Sequence, residues 1–286
     1  MTEKHVVEAL GKTYIVIEDG NVVEVGEPLI NWCPIFAKAR GISEITPESI
    51  RKNIEFRIKD FGMCTEDRSI EMQVFVGFGA SEVMMSGLRR GMLDASVTVC
   101  EGVGTVITSN PALAQGIGAR ISGVIETTVI PNLVKRVEDK GGVTLDSKQA
   151  LINQPLGVIK AVELGNKRVA VTVTTVEDAT KCREVEANTN TEVTIIGVHM
   201  TGIDKDAAAK FVDVVDITTG CASLSIRVAV KGKALAQVGT AVPLFAMTQR
   251  GKELLLERAK EVSSPILINT TDLPVVPDDE QPRPLV

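Results

Sequence analysis

The chain has 286 residues, enough for one large domain or two ordinary ones, each with its own core. Apolar residues make up 44% and charged residues 24%, with 31 Lys and Arg against 37 Asp and Glu for a formal charge of −6. That balance excludes a disordered or fibrous chain; the lack of a basic cluster argues against nucleic-acid and anionic-membrane partners, and no apolar run approaches membrane-helix length.

In chain order, Tyr14-Ile15-Val16-Ile17 and Val22-Val23-Glu24-Val25 flank Asp19-Gly20, a tight-turn pair between β-branched runs, so the first thirty residues predict a β-hairpin. Residues 31–50 are less regular. Thr46-Pro47-Glu48-Ser49 opens a helix that carries through Ile54, Phe56 and Ile58 and stops before Gly62. A short apolar stretch at 74–79 leads into a helix over 80–90, with Gly91 at its end. Residues 95–100 read as a strand by β-branched content and run straight into Glu101-Gly102-Val103-Gly104-Thr105.

From residue 151 the pattern is regular. Strand-like runs at 168–175, 191–199, 213–218, 241–247 and 265–269 are separated by helix-like stretches at 177–187, 204–212, 224–237 and 249–262. Strands alternating with helices of this length imply βαβ units and a mostly parallel sheet. The expected fold is therefore α/β. A mixed unit over 1–150 begins with the hairpin, a parallel domain of about five strands covers 151–273, and a Pro-rich acidic tail, 274–286, lies extended or pinned to a neighbour.

Only two histidines, His5 and His199, are present, which excludes a multi-histidine metal site. His5 stands near a terminus expected to fray, leaving His199 as the candidate base. The five cysteines, Cys33, Cys64, Cys100, Cys182 and Cys221, form no CxxC pair; in the cytoplasmic location expected here they read as reduced thiols or ligands. In an open α/β sheet, ligands collect beyond the carboxyl ends of the strands. Cys100, His199, Cys221, Met247-Thr248 and Asn269-Thr270-Thr271 all follow predicted strand ends, so they are expected to share one polar edge.

Cys100 has two readings: a small buried hydrophobe, or a thiol activated by the turn that follows it, with the backbone amides of Gly102, Gly104 and Thr105 holding an anion. Ile107 stands where a dinucleotide fingerprint requires glycine, which rejects that site. Gly77 and Gly79 precede a helix and can cradle a phosphate, although Ser81 as a simple cap explains them as well. Arg120 follows Gly116-Ile117-Gly118-Ala119 and can pair with a carboxylate or phosphate. Cys64, in a polar turn, leans functional, whereas Cys33 between Trp32 and Pro34 is balanced. Cys182 shares one helical face with Val176, Ala179 and Val185 and reads as core. Met72, Met84, Met85 and Met92 fill the interior of a chain poor in aromatics.

Longer motifs carry a resemblance. Asp60-Phe61-Gly62-Met63-Cys64-Thr65, Cys100-Glu101-Gly102-Val103-Gly104-Thr105-Val106-Ile107, Gln115-Gly116-Ile117-Gly118-Ala119-Arg120-Ile121-Ser122-Gly123 and the Cys221-Ala222-Ser223 turn, with Glu27-Pro28-Leu29-Ile30 and Cys33-Pro34, resemble the archaeal family called methanogenesis marker protein 8. The resemblance spans nearly the whole chain. It implies a cytoplasmic archaeal protein working near methyl-coenzyme M reductase, its cofactors or its maturation. It also implies that the cysteines at 33, 64, 100 and 221 recur in the family; the proline-rich tail departs from it.

Three readings of function are open. The first is an accessory protein in which Cys33, Cys64, Cys100 and Cys221 converge on one cleft, as ligands of an iron–sulfur cluster or as cooperating thiols. The second is an enzyme on a small anionic or phosphorylated substrate, with Cys100 or Cys221 as nucleophile, Cys64 assisting and His199 as base. The third is a non-enzymatic assembly factor docking a partner protein, with a homo-oligomer compatible with each.

Overall fold

The computed structural model describes residues 3–72, 74, 76–119 and 123–286. Its elements run β1 (Lys4–Ala9), β2 (Thr13–Glu18), β3 (Asn21–Val25), α1 (Pro34–Arg40), α2 (Pro47–Phe61), α3 (Ala80–Arg89), β4 (Ala95–Cys100), β5 (Gly104–Thr108), α4 (Pro111–Gly118), β6 (Gly123–Thr127), α5 (Pro131–Asp139) and β7 (Gly142–Thr144). They continue with α6 (Gln154–Glu163), β8 (Arg168–Val173), α7 (Val176–Asn188), β9 (Glu192–Gly197), α8 (Lys205–Val214), β10 (Ile217–Thr219), α9 (Leu224–Ala229), β11 (Ala236–Val238), β12 (Leu244–Ala246) and α10 (Gln249–Ala259).

The expected hairpin is β2–β3. Asp19 and Gly20 both take positive φ, 47° and 75°, the conformation a two-residue turn needs to match strand twist. The expected helix is α2. It opens with a capping box, in which Thr46 accepts from the Ser49 amide at 3.2 Å while its own amide donates to Ser49 Oγ at 2.9 Å. It ends at Gly62, φ 73°.

Two sheets result. The smaller has the order β3-β2-β1-β6 and is antiparallel throughout. The larger has the order β11-β12-β10-β9-β8-β4-β5-β7. In it β4, β8, β9 and β10 are parallel, and antiparallel strands flank them on both sides. Alternating side chains feed two layers, as the period of a strand dictates. Val169, Val171 and Val173 of β8 pack with α6, α7 and α8, whereas Ala170 joins Ile196, Ile217 and the α3 and α10 residues Met84 and Leu254.

Several expectations are corrected. The large sheet joins β4 to β8, so it runs across residue 150. His5 does not fray: it lies in β1, fully buried, between β2 and β6. β12 runs antiparallel to β10, which puts Met247-Thr248 at the opposite edge; there Thr248 Oγ1 donates to Asp216 Oδ1 at 2.7 Å. Residues 265–269 form no strand, and Leu267 is 89% exposed. Strand composition acts only against a partner strand. The outer strand β11 is engaged elsewhere, its Gln237 side chain exchanging hydrogen bonds with the Val275 backbone at 2.6 and 2.8 Å. The helix expected over 224–237 ends at Ala229.

The tail is pinned to its own chain. Arg283 donates its amide to the Trp32 carbonyl and stacks its guanidinium over the Trp32 ring, 4.7 Å from the centroid.

Candidate functional site

The parallel strands β4, β8, β9 and β10 end at Cys100, Val173, Gly197 and Thr219. Beyond this edge lie two adjoining cavities of about 530 and 270 Å³. Thr98, Thr172, Thr174, Asn153 and Asp178 border the larger; Lys12, Cys33, Arg57 and Thr201 border the smaller. Glu8, His199 and Cys221 border both. This is the place where α/β sheets hold ligands, and the size suits a small molecule.

Cys221 is positioned by the turn between β10 and α9. Ser223 caps α9 by accepting from the Ile226 amide at 3.1 Å. Cys221 takes φ 41° and is half-buried, with Sγ 3.2 Å from Thr219 Oγ1. His199 follows β9 with φ 60°, and Lys12 follows the β1 turn with φ 61°. Three non-glycine residues in the left-handed region thus border one cavity. Each conformation costs on the order of 1–3 kcal/mol, and such strain gathers at functional sites.

Burial, reinforced by the Lys12 charge, pulls His199 down to about 4 from the ordinary 6.5. The imidazole is therefore neutral at neutral pH and able to accept a proton. Because the unfolded chain takes up this proton first, the stability tied to His199 is complete above about pH 6.5 and drains away as pH falls toward 4. His5 works in the same direction: burial lowers it, against the Glu101 carboxylate. Urea midpoints should therefore fall with acidification across this window, and His199→Asn should flatten the slope; an unchanged slope contradicts the assignment.

The other cysteines are placed differently. Cys100 ends β4 as expected but is fully buried, and its thiol donates to the Glu101 carbonyl at 3.4 Å. It packs with Ile70, Val103, Val106 and Ile130 and borders neither cavity. Burial pushes its thiol far up, with the Glu101 carboxylate adding to the effect. Cys64, expected in a polar turn and at the cleft, is also fully buried, at φ 58° beside Phe61 and Met63. Its thiol is raised by burial, then by Glu101, with Arg68 opposing and Cys100 adding. Cys33 is buried and raised by desolvation; it feels Cys221. Cys182 is core, as expected, and is raised to about 12.

The four cysteines expected to converge thus divide: Cys33 lies near Cys221, and Cys64 near Cys100. Among the described residues no three His, Cys, Asp or Glu side chains converge as a metal ion requires, which removes the basis for a shared ligand set.

The glycine motifs are likewise reassigned. Gly102 and Gly104, φ 79° and 81°, form the tight β4–β5 turn. A side chain on Gly102 would strike Ile130 at 2.7 Å, and one on Gly104 the Ala150 carbonyl. Their surroundings are filled by protein. The Gly102 amide donates to Thr127 Oγ1 at 2.7 Å, the Thr105 amide to the Leu151 carbonyl at 2.9 Å, and Thr105 Oγ1 accepts from the Asn153 amide at 2.8 Å. No anion nest is left there. Gly77 lies outside both cavities, its carbonyl accepting from Arg258 at 2.9 Å, while Gly79 borders the larger one at the start of α3. Arg120 lies outside the described residues.

The model of the archaeal family DUF2099, described as an uncharacterized protein conserved in archaea, matches residues 5–260. The chain belongs to this family. A curated relative from Methanocaldococcus jannaschii, "Uncharacterized protein MJ0054", is 51% identical over 286 residues, covering 99% of this chain and 100% of the relative. Within this DUF2099 chain the residues of the candidate site beyond the reach of sequence reasoning are Glu8, Lys12 and Arg57, which arrive from the smaller sheet, the turn after β1 and α2, and Asn153 and Asp178. Thr172 and Thr174 end β8, so the strand-end rule that singled out His199 also reaches them. No helix among the described residues is long and apolar enough to cross a membrane.

Proposed function

We propose that this DUF2099 protein is a thiol-dependent enzyme acting on a small polar substrate, with Cys221 as nucleophile. One observation carries the reading: among the cysteines, Cys221 borders both cavities and keeps an accessible side chain. The strained backbone at Lys12, His199 and Cys221 supports it. The imidazole of His199, neutral at neutral pH, borders both cavities with Cys221, and the amino ends of α3, α6 and α7 meet the larger cavity beside the carboxyl groups of Glu8, Glu82 and Asp178. Lys12 and Arg57 add positive charge at the smaller cavity. In this proposal the thiolate attacks an electrophilic carbon, the leaving group departs with its electron pair, and a second nucleophile releases the product.

The motifs around Cys64, Cys100, Gln115 and Cys221 favour placing the enzyme in the methanogenesis marker protein 8 family, with a cytoplasmic role in the cofactor metabolism or maturation of methyl-coenzyme M reductase. p-Nitrophenyl acetate tests the chemistry with a generic acyl probe. Attack by Cys221 forms a thioester and expels p-nitrophenolate, so one equivalent should be released in a burst and the acetyl group should map to Cys221. A burst that survives in Cys221→Ser, or an acetyl group on another cysteine, overturns the assignment.

A further inference from the structure

Arg227 of α9 is only 4% exposed, yet it forms no ion pair with a carboxylate among the described residues. Its five N–H groups all end on neutral oxygens. Nε and one terminal nitrogen donate to Gln281 Oε1 at 3.0 and 2.7 Å. The remaining three donate to the carbonyls of Gly220 at 2.9 Å, Ser223 at 2.8 Å and Cys221 at 3.0 Å. The guanidinium therefore grips the turn that carries Cys221. A buried cation without a countercharge is costly, and this one is held on the backbone of the residue that carries the Cys221 thiol.

The C-terminal segment completes this grip. The Val286 amide donates to the Ala222 carbonyl and the Leu224 amide to the Val286 carbonyl, both at 2.9 Å. Gln281 is itself buried and fixed, with Nε2 donating to the carbonyls of Thr240 at 3.0 Å and Pro277 at 3.2 Å. A glutamate at 281 would bind the guanidinium more strongly. The neutral amide holds the guanidinium without supplying a countercharge.

We propose that Arg227 is the positioning and charge partner of Cys221, favouring its thiolate, and that residues 281–286 form the strap that keeps Arg227 in place. This rests on the reading of Cys221 as the reactive thiol. Desolvation lowers Arg227 to about 10, with Cys221 opposing, so the guanidinium remains charged at neutral pH. The other ionisable groups facing the cavities here are Glu8, Lys12, Cys33, Arg57, Glu82, Asp178 and His199. All of them stay in place when Arg227 or Gln281 is changed.

The test is the pH profile of iodoacetamide labelling at Cys221 in the full chain, read by peptide mass spectrometry. Gln281→Glu supplies the missing countercharge; it should slow labelling at neutral pH roughly tenfold, as one pH unit of displacement predicts, and regain the native plateau at alkaline pH. Arg227→Met should shift the profile further, and Arg227→Lys, which keeps the charge, should restore most of the native rate. Native profiles in Gln281→Glu and Arg227→Met overturn the proposal, as does slowing that is uniform at every pH, which would mean lost access. Should one variant unfold by circular dichroism, the other decides on the same profile. A missing acyl burst with native-type profile shifts defeats the enzyme reading alone; a burst with coincident profiles defeats only the role of Arg227.

Discussion

Cys221→Ser should reduce turnover of the acyl probe by a factor on the order of a thousand or more, because a serine hydroxyl in the same place lacks a thiolate's nucleophilicity. Cys100→Ser should leave turnover within a few-fold, since its thiol lies in the apolar cluster with Val103 and Val106 and borders neither cavity. Its cost falls on stability, about 1–3 kcal/mol for a hydroxyl placed in an apolar site. Burst amplitude and urea midpoint, measured on both variants, separate the two roles. Equal losses of turnover would return Cys100 to the site.

Glu101→Ala should be the most destabilising single change, about 3–5 kcal/mol, because it strands a buried cation. Arg68 and Glu101 are both fully buried, with Arg68 Nε donating to Glu101 Oε1 at 2.8 Å. Arg68 also donates to the carbonyls of Ser69 and Ile117 and lies over the Phe61 ring, 4.8 Å from the centroid. Removing Glu101 leaves that guanidinium without a countercharge. The double replacement Arg68→Met with Glu101→Leu should lose less than the sum of the two single changes, since it removes both charges together. Denaturant unfolding of the four proteins closes the cycle, and additive losses would mean that the pair is not coupled.

Local chemistry that needs no distant partner was legible in the sequence. Asp19-Gly20 specifies its turn and Thr46-Pro47 its helix start, and the alternation after residue 168 specifies β8, β9 and the helices α7 and α8. What depends on a partner was not. β1 exists because β2 and β6 flank it, which buries His5, while residues 265–269 have the composition of a strand and pair with none. The direction of β12 is likewise a tertiary fact, and it moved Thr248 to the wrong edge. At the site, the strand-end rule found His199 and Cys221. It failed at Cys100, where the chain reverses at once into β5 and closes over the thiol. Glu8, Lys12 and Arg57 come from a second sheet and a helix whose docking no local pattern announces.

The central claim, that Cys221 is the reactive cysteine of the cleft, is tested most directly by labelling the native protein with iodoacetamide and following each cysteine by peptide mass spectrometry. Cys221 should be modified first, with Cys33 far slower and Cys64, Cys100 and Cys182 protected until the protein unfolds. Modification of Cys64 or Cys100 in the native state, at a rate matching Cys221, would contradict the account.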